Sequence, residues 1–257
     1  MNCWPVRGGR GLRAVFMTEI RAYPDRGLLM QAAAEHVVSV YESAALSGSF
    51  SIVLAGGSTP RQLYQLLAEA HFAGHVDWSL VHVFWGDERC VPPDHEDSNY
   101  RMARLALLDH VQLPAGNIYR MRGEGDPQQA AVDYEKRLRA FFGEDAVRFD
   151  LVLLGMGDDG HTASLFPGTA ALDETERLVV ANHVPQQDSW RLTLTYPAIN
   201  NAANVTFLVA GADKAEALRD VLEGPPDQYP AQRVQPVNGS LLWLVDDAAA
   251  AQLENDP

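Results

Sequence analysis

The sequence predicts an α/β protein with a doubly wound, mostly parallel sheet and helices on both faces. Three observations predict it. Short apolar runs rich in β-branched residues alternate along the chain with helix-length segments of amphipathic spacing. The 257 residues, 47% of them hydrophobic, are enough to bury one full core. No Pro/Gly/Ser-rich linker divides the chain and no internal repeat is visible, so residues 17–257 are expected to form a single domain.

The elements follow in order. MNCWPVRGGRGLRAVF, residues 1–16, carries three arginines and three glycines with no apolar centre, and is expected to be a disordered extension. Residues 27–46 have helical spacing through Leu28, Leu29, Ala32, Ala33, Val37, Val40 and Tyr41. Ser51–Ala55 reads as a buried strand and Pro60–Ala70 as a helix; Leu80–Trp85 is a strand, with helices over Asn99–Asp109 and Gln128–Phe142. Phe149–Leu154, Arg191–Tyr196, Val205–Ala210 and Ser240–Val245 read as further strands, with a helix over Lys214–Leu222. The stretch from Gly224-Pro225-Pro226 through Pro236 is long for a connection in such a fold, long enough to cover a site.

Charge narrows the function classes. A net charge of −14 argues against nucleic acid and anionic membrane as partners. Any anionic ligand must therefore meet cations concentrated at its own site. No apolar run has bilayer-spanning length. The two cysteines, Cys3 and Cys90, make a structural disulfide a poor reading and a reducing cytoplasm the easier one.

In open α/β sheets ligands sit beyond the carboxyl ends of the strands, and four clusters fall there. In SIVLAGGSTPRQLYQLL, Ser58 or Thr59 can cap a helix with Pro60 at its first position. Gly56 and Gly57 let the backbone approach a ligand, giving an anion site of free N–H groups. The bland alternative is a tight turn with an ordinary cap. In VHVFWGDERCVPP, Arg89 can fork onto a phosphate and Asp87 can bond hydroxyls, or both can simply solvate a loop. GMGDDGHTASLFPG, residues 155–168, sets His161 two residues after Asp159, a spacing that lets the carboxylate fix the imidazole as a base. Gly155, Gly157 and Gly160 offer backbone N–H groups to a developing oxyanion. Lys214 is one of only two lysines, Lys136 being the other. It follows a strand and Gly211 and suits a phosphate, although pairing with Asp213 or Glu216 would leave it a plain surface charge.

No G-x-S-x-G elbow and no H-E-x-x-H motif occurs, and Asp94-His95-Glu96-Asp97 reads as a solvated loop, so no metal site is expected.

LAGGSTP, FWGDERCVPPDHEDSNY, FDLVLLGMGDDGHTASLFPG, RLTLTYPAIN and FLVAGADKAEAL together resemble the successive signatures of 6-phosphogluconolactonases, from about residue 20 to the C-terminus. The resemblance implies a fold like that of glucosamine-6-phosphate deaminases, a relative of the dinucleotide-binding sheet. It implies hydrolysis of 6-phospho-D-glucono-1,5-lactone in the oxidative pentose phosphate pathway, without metal or organic cofactor. It further implies His161 as general base with Asp159 beside it, and Gly56, Gly57, Ser58, Thr59, Arg89 and Lys214 as substrate or phosphate contacts. Asp87 and Arg191 occupy motif positions with less defined roles. The expected partner is a small sugar-phosphate lactone, the expected state a monomer or small homo-oligomer. A sugar-phosphate isomerase or deaminase of the same fold, and a non-catalytic sugar-phosphate sensor, remain as alternatives.

Overall fold

The structure, a computed structural model, describes residues 18–143 and 147–254. The extension expected at residues 1–16 lies outside the described residues. β1 (Thr18–Tyr23) leads into α1 (Arg26–Ala45), β2 (Phe50–Leu54), α2 (Ser58–Leu67) and the single-turn α3 (Ala70–Ala73). Next come β3 (Val81–Trp85), β4 (Asp87–Arg89), α4 (Asn99–Ala106), β5 (Ile118–Tyr119) and α5 (Pro127–Phe142). β6 (Leu151–Leu154), β7 (Val179–Val184), β8 (Ser189–Leu194) and α6 (Tyr196–Ile199) precede β9 (Asn204–Val209) and α7 (Ala215–Glu223). β10 (Ser240–Asp246) and α8 (Asp247–Ala250) follow.

Seven strands form one sheet in the order β1-β10-β9-β6-β2-β3-β5, and every pairing in it is parallel. Every residue of β2 and β6 is buried, which requires cover on both faces and explains why these strands read as unbroken apolar runs. The edge strands β1 and β5 are only half-buried. From β2 the chain builds outward to β3 and β5 on one side, then returns to place β6, β9 and β10 on the other. The switch point of the topology is therefore the β2/β6 pair, registered Ile52 to Leu151 and Val53 to Val152.

The mostly parallel sheet is as expected, but one predicted strand lies outside it. Arg191–Tyr196 is not a strand of the main sheet. β8 ends at Leu194, pairs antiparallel with β4 and β7 in a separate three-stranded sheet, and Tyr196 already opens α6. β4 was invisible as a strand because its three residues are Asp87, Glu88 and Arg89, a charged run of the kind that reads as loop. It is held by the backbone ladder to β8 and by burial of Glu88, which is 2% exposed. The Glu88 carboxylate accepts from the N–H groups of Arg89, Asn99 and Tyr100 and from Ser98 Oγ, so it fastens the start of α4 to β4. Burial pushes its pKa up, and those donors oppose the rise. β1, β5 and β7 also went unread, two of them short or half-exposed edges of their sheets. In α1, Leu28 faces solvent and not the core.

Candidate active site

The turns after β2, β3, β6 and β9 surround a cleft of about 280 Å³ at the carboxyl edge of the sheet. Residues 56–59 form one wall, and Asp87 and Arg89 of β4 form a second. His161 and Lys214 face it from the turns after β6 and β9. The four clusters, scattered over 159 positions between Gly56 and Lys214, thus meet in one place.

The first cluster departs from the sequence reading. Neither Ser58 nor Thr59 caps α2. The cap position is Gly57, at φ 104°, and no side chain bonds the first-turn N–H groups; Pro60 is the third helical residue, not the first. Leu63 and Tyr64 bury the helix against the core, and the Tyr64 hydroxyl bonds both N–H and C=O of Ala55, fixing the strand end. The N–H groups of Ser58 and Thr59 are left at the cleft without a capping side chain, which strengthens the anion-site reading.

At the second wall, Arg89 donates to the carbonyl of Asp97 at 2.7 Å, while its Nε is buried without a partner. Asp87 is 8% exposed, and both its oxygens are engaged: Oδ1 accepts from Asn99 Nδ2 at 3.0 Å and Oδ2 from Ser164 Oγ at 2.7 Å. Asp87 therefore ties β4, α4 and the chain after β6 together. Asn99 and Ser164 were not singled out from sequence; both lie inside the quoted motifs, and only burial reveals their part. Arg191 does not line the cleft. It stands opposite Arg89 in the β4–β8 ladder, donates to Ser189 Oγ at 3.3 Å and to Gln187 Oε1, and has its pKa lowered by burial and by the charge of Arg89.

The turn after β6 carries the most specific geometry. His161 Nδ1 lies 2.5 Å from Asp159 Oδ1, and the same oxygen accepts the His161 N–H at 3.1 Å. The imidazole stacks on Phe166, with centroids 3.9 Å apart and planes at 22°. Gly157 is required by this closeness, since a Cβ there would sit 2.1 Å from His161 Nδ1. Burial raises the Asp159 pKa, but its hydrogen bonds to His161 and the His161 charge outweigh this and hold it below the ordinary carboxylate range. An ionised Asp159 accepting from Nδ1–H leaves Nε2 with the free lone pair. One expectation is corrected here: the N–H groups of Gly157 and Gly160 are not available to an oxyanion, because they donate to the carbonyls of His161 and Gly157. Ala163, beside this turn and lining the cleft, holds φ at 48°, an uncommon conformation for a residue with a Cβ.

Lys214 stands at the cap of α7 and pairs with Asp213 at 3.2 Å, as the plain-surface reading proposed. Its side chain is nonetheless only 23% exposed, against 71% for Asp213, and it lines the cleft. Lys136, by contrast, is 71% exposed on α5. Residues 224–237 do not reach the cleft; Tyr229 packs on the outside of the His161 turn, against Gly160. Among the described residues no three His, Cys, Asp or Glu side chains are grouped to hold a metal ion, and no helix is long and apolar enough to cross a membrane.

An imidazole hydrogen-bonded to a carboxylate, facing cations and uncapped backbone donors at a sheet switch point, is a make-up that suits an α/β enzyme for a small anionic substrate. The chain belongs to the family described as glucosamine-6-phosphate isomerases/6-phosphogluconolactonase, which matches residues 24–243. It is 50% identical over 212 residues to the 6-phosphogluconolactonase of Synechocystis sp., covering 80% of this chain and 85% of that one. It is 44% identical over 241 residues to the enzyme of the same name from Nostoc sp., covering 91% and 98%. Among solved structures, the 6-phosphogluconolactonase from Trypanosoma cruzi superposes with a TM-score of 0.84 at 30% identity, covering 95% of this chain and 100% of that one.

Proposed function

We propose that this protein hydrolyses 6-phospho-D-glucono-1,5-lactone to 6-phosphogluconate, with His161 as general base. The observation that carries the reading is the Asp159–His161 pair opening onto a cleft whose other walls supply Arg89, Lys214 and the uncapped start of α2. The names of the relatives agree with it. The reading includes a cytoplasmic location and a substrate that is neither nucleic acid nor lipid, in keeping with the net charge of −14.

A δ-lactone carbonyl is already reactive, so a positioned base and local charge stabilisation suffice. Nε2 of His161 takes a proton from water as the water oxygen bonds to the lactone carbonyl carbon. The carbonyl oxygen gains the negative charge. Collapse of this intermediate breaks the bond to the ring oxygen, and the imidazolium returns its proton there, giving a carboxylic acid that ionises and a free hydroxyl. Asp159 holds the ring in the tautomer that can accept and stabilises the transient positive charge. The phosphate meets Lys214, Arg89 and the N–H groups of Ser58 and Thr59; charge-assisted contacts of this kind give the recognition that the acidic protein as a whole cannot supply. Asp87, through its bonds to Asn99 and Ser164, keeps β4 and its Arg89 in place.

The test is a spectrophotometric assay with freshly generated lactone, corrected for spontaneous hydrolysis. Acceleration of 6-phosphogluconate formation is expected. Ammonia release from glucosamine 6-phosphate, with no acceleration of lactone opening, would replace this reading with the deaminase one.

A further inference from the structure

The His161 turn has a weakness that its own residues do not remedy. Three glycines fall between Gly155 and Gly160, no helix follows, and glycine backbone samples far more conformations than any other. A general base must nevertheless be held to within a fraction of an ångström. Support comes from outside the cleft, through the segment that returns from α7 to β10. At Gly160, where φ is +69°, an added Cβ would lie 2.5 Å from Tyr229 Cδ1 and 2.9 Å from Tyr229 Cβ, so the tyrosine side chain rests directly on the bare backbone. The N–H of Ala231 donates to the Gly160 carbonyl at 3.0 Å, a second grip on the same residue.

The gripping segment is itself well fastened. Tyr196 Oη donates to the Pro230 carbonyl at 2.8 Å and Asn200 Nδ2 to that of Arg233 at 2.9 Å. The Gln232 amide oxygen accepts from the N–H groups of Gln228 and Tyr229, closing a short helical turn over Pro230–Arg233. Tyr229 Oη donates to Asp220 Oδ2 on α7 at 3.0 Å, a half-buried bond made away from the Gly160 turn. None of these residues lines the cleft.

We propose that Tyr229 is a positioning residue for His161, acting through the packing of its ring on Gly160 and not through its hydroxyl. The proposal rests on His161 being the base. Removing the ring frees the turn to move while leaving the phosphate contacts untouched, so the loss falls on kcat and not on KM.

Tyr229→Ala is expected to lower kcat by about 10- to 100-fold, the scale of a small misplacement of a catalytic group. KM for the phosphorylated lactone should be unchanged, and unphosphorylated glucono-1,5-lactone should lose the same factor. Tyr229→Phe, which keeps the ring and loses only the bond to Asp220, should retain wild-type kcat. Tyr229→Leu, preserving apolar bulk, serves should the alanine variant fail to fold, and should fall between the two. In a His161→Ala background Tyr229→Ala should add nothing, because it acts through the group already removed. Wild-type kcat in both the Ala and Leu variants, a loss in Phe equal to that in Ala, or an additive loss on top of His161→Ala would overturn the proposal. Full turnover in His161→Ala alone would instead overturn the base assignment, and is read separately.

Discussion

The turns after β2 and β6 leave neighbouring strands at the switch point of one sheet, yet they do opposite things. The β2 turn is short and runs straight into α2, leaving the first-turn N–H groups without side-chain caps at the cleft. The β6 turn enters no helix and directs its N–H groups inward: Gly157 bonds His161 and Gly160 bonds Gly157. What it offers the cleft is a side chain, braced by Asp159 and Phe166. A helix-forming turn presents fixed dipoles suited to a phosphate, whereas a self-bonded turn presents one titratable group suited to proton transfer. Glycine serves both, for backbone conformation at Gly57 and for close approach at Gly157.

The comparison can be broken in order of expected effect. His161→Ala should lower kcat by about 10²–10⁴ with the fold intact, since it removes the imidazole that the β6 turn holds at the cleft. Circular dichroism alongside steady-state kinetics checks both halves, and near-wild-type turnover would end the assignment. Any acidic limb of the activity profile must be separated from unfolding. His36 supplies the control. It is half-buried on α1 against Thr206, at 3.0 Å, and desolvation, with the charge of Arg21, lowers its pKa to about 4. The unfolded chain takes up that proton near the ordinary histidine value of about 6.5. Stability is therefore complete above about 6.5 and is lost as pH falls toward 4, by at most about 3 kcal/mol. Thermal melts of His36→Gln should show a flatter dependence over this window while its activity limb stays put; an equal shift of both would mean the limb reports unfolding.

Smaller effects sharpen the β2 side. Ser58→Ala should change kcat/KM by no more than about threefold, because the backbone N–H survives the substitution and only a neutral hydroxyl contact is at stake. A loss of hundredfold would assign the phosphate to the side chain. Prolonged EDTA treatment should leave turnover unchanged, and restoration of a lost rate by zinc or magnesium would mean that the acidic residues near the cleft have a role beyond structure.

The part of this arrangement legible in the sequence is the part carried by local chemistry. The buried strands announced themselves as apolar runs, and His161, Arg89 and Lys214 stood out at strand ends, where the structure brings them to one cleft. What escaped depended on partners distant in sequence. β4 is charged and becomes a strand only because β8, about 100 residues later, pairs with it. The cap of α2 went to Gly57 because the chain enters the helix at a φ that only glycine readily adopts, which no count of Ser and Thr foretells. Tyr229 sits 69 positions after Gly160, in a segment whose length alone drew notice.

The claim that phosphate recognition and lactone chemistry fall to separate parts of the cleft, the β6 turn serving only the second, is tested most directly by Lys214→Ala, in the turn after β9, on two substrates. With the phosphorylated lactone, loss of one charge-assisted contact should lower kcat/KM by about 10- to 150-fold, equivalent to roughly 1.5–3 kcal/mol. With unphosphorylated glucono-1,5-lactone, which has no phosphate to lose, the low rate should stay where it is. Equal fractional losses on the two substrates would contradict the division and place Lys214 in the lactone chemistry or the fold.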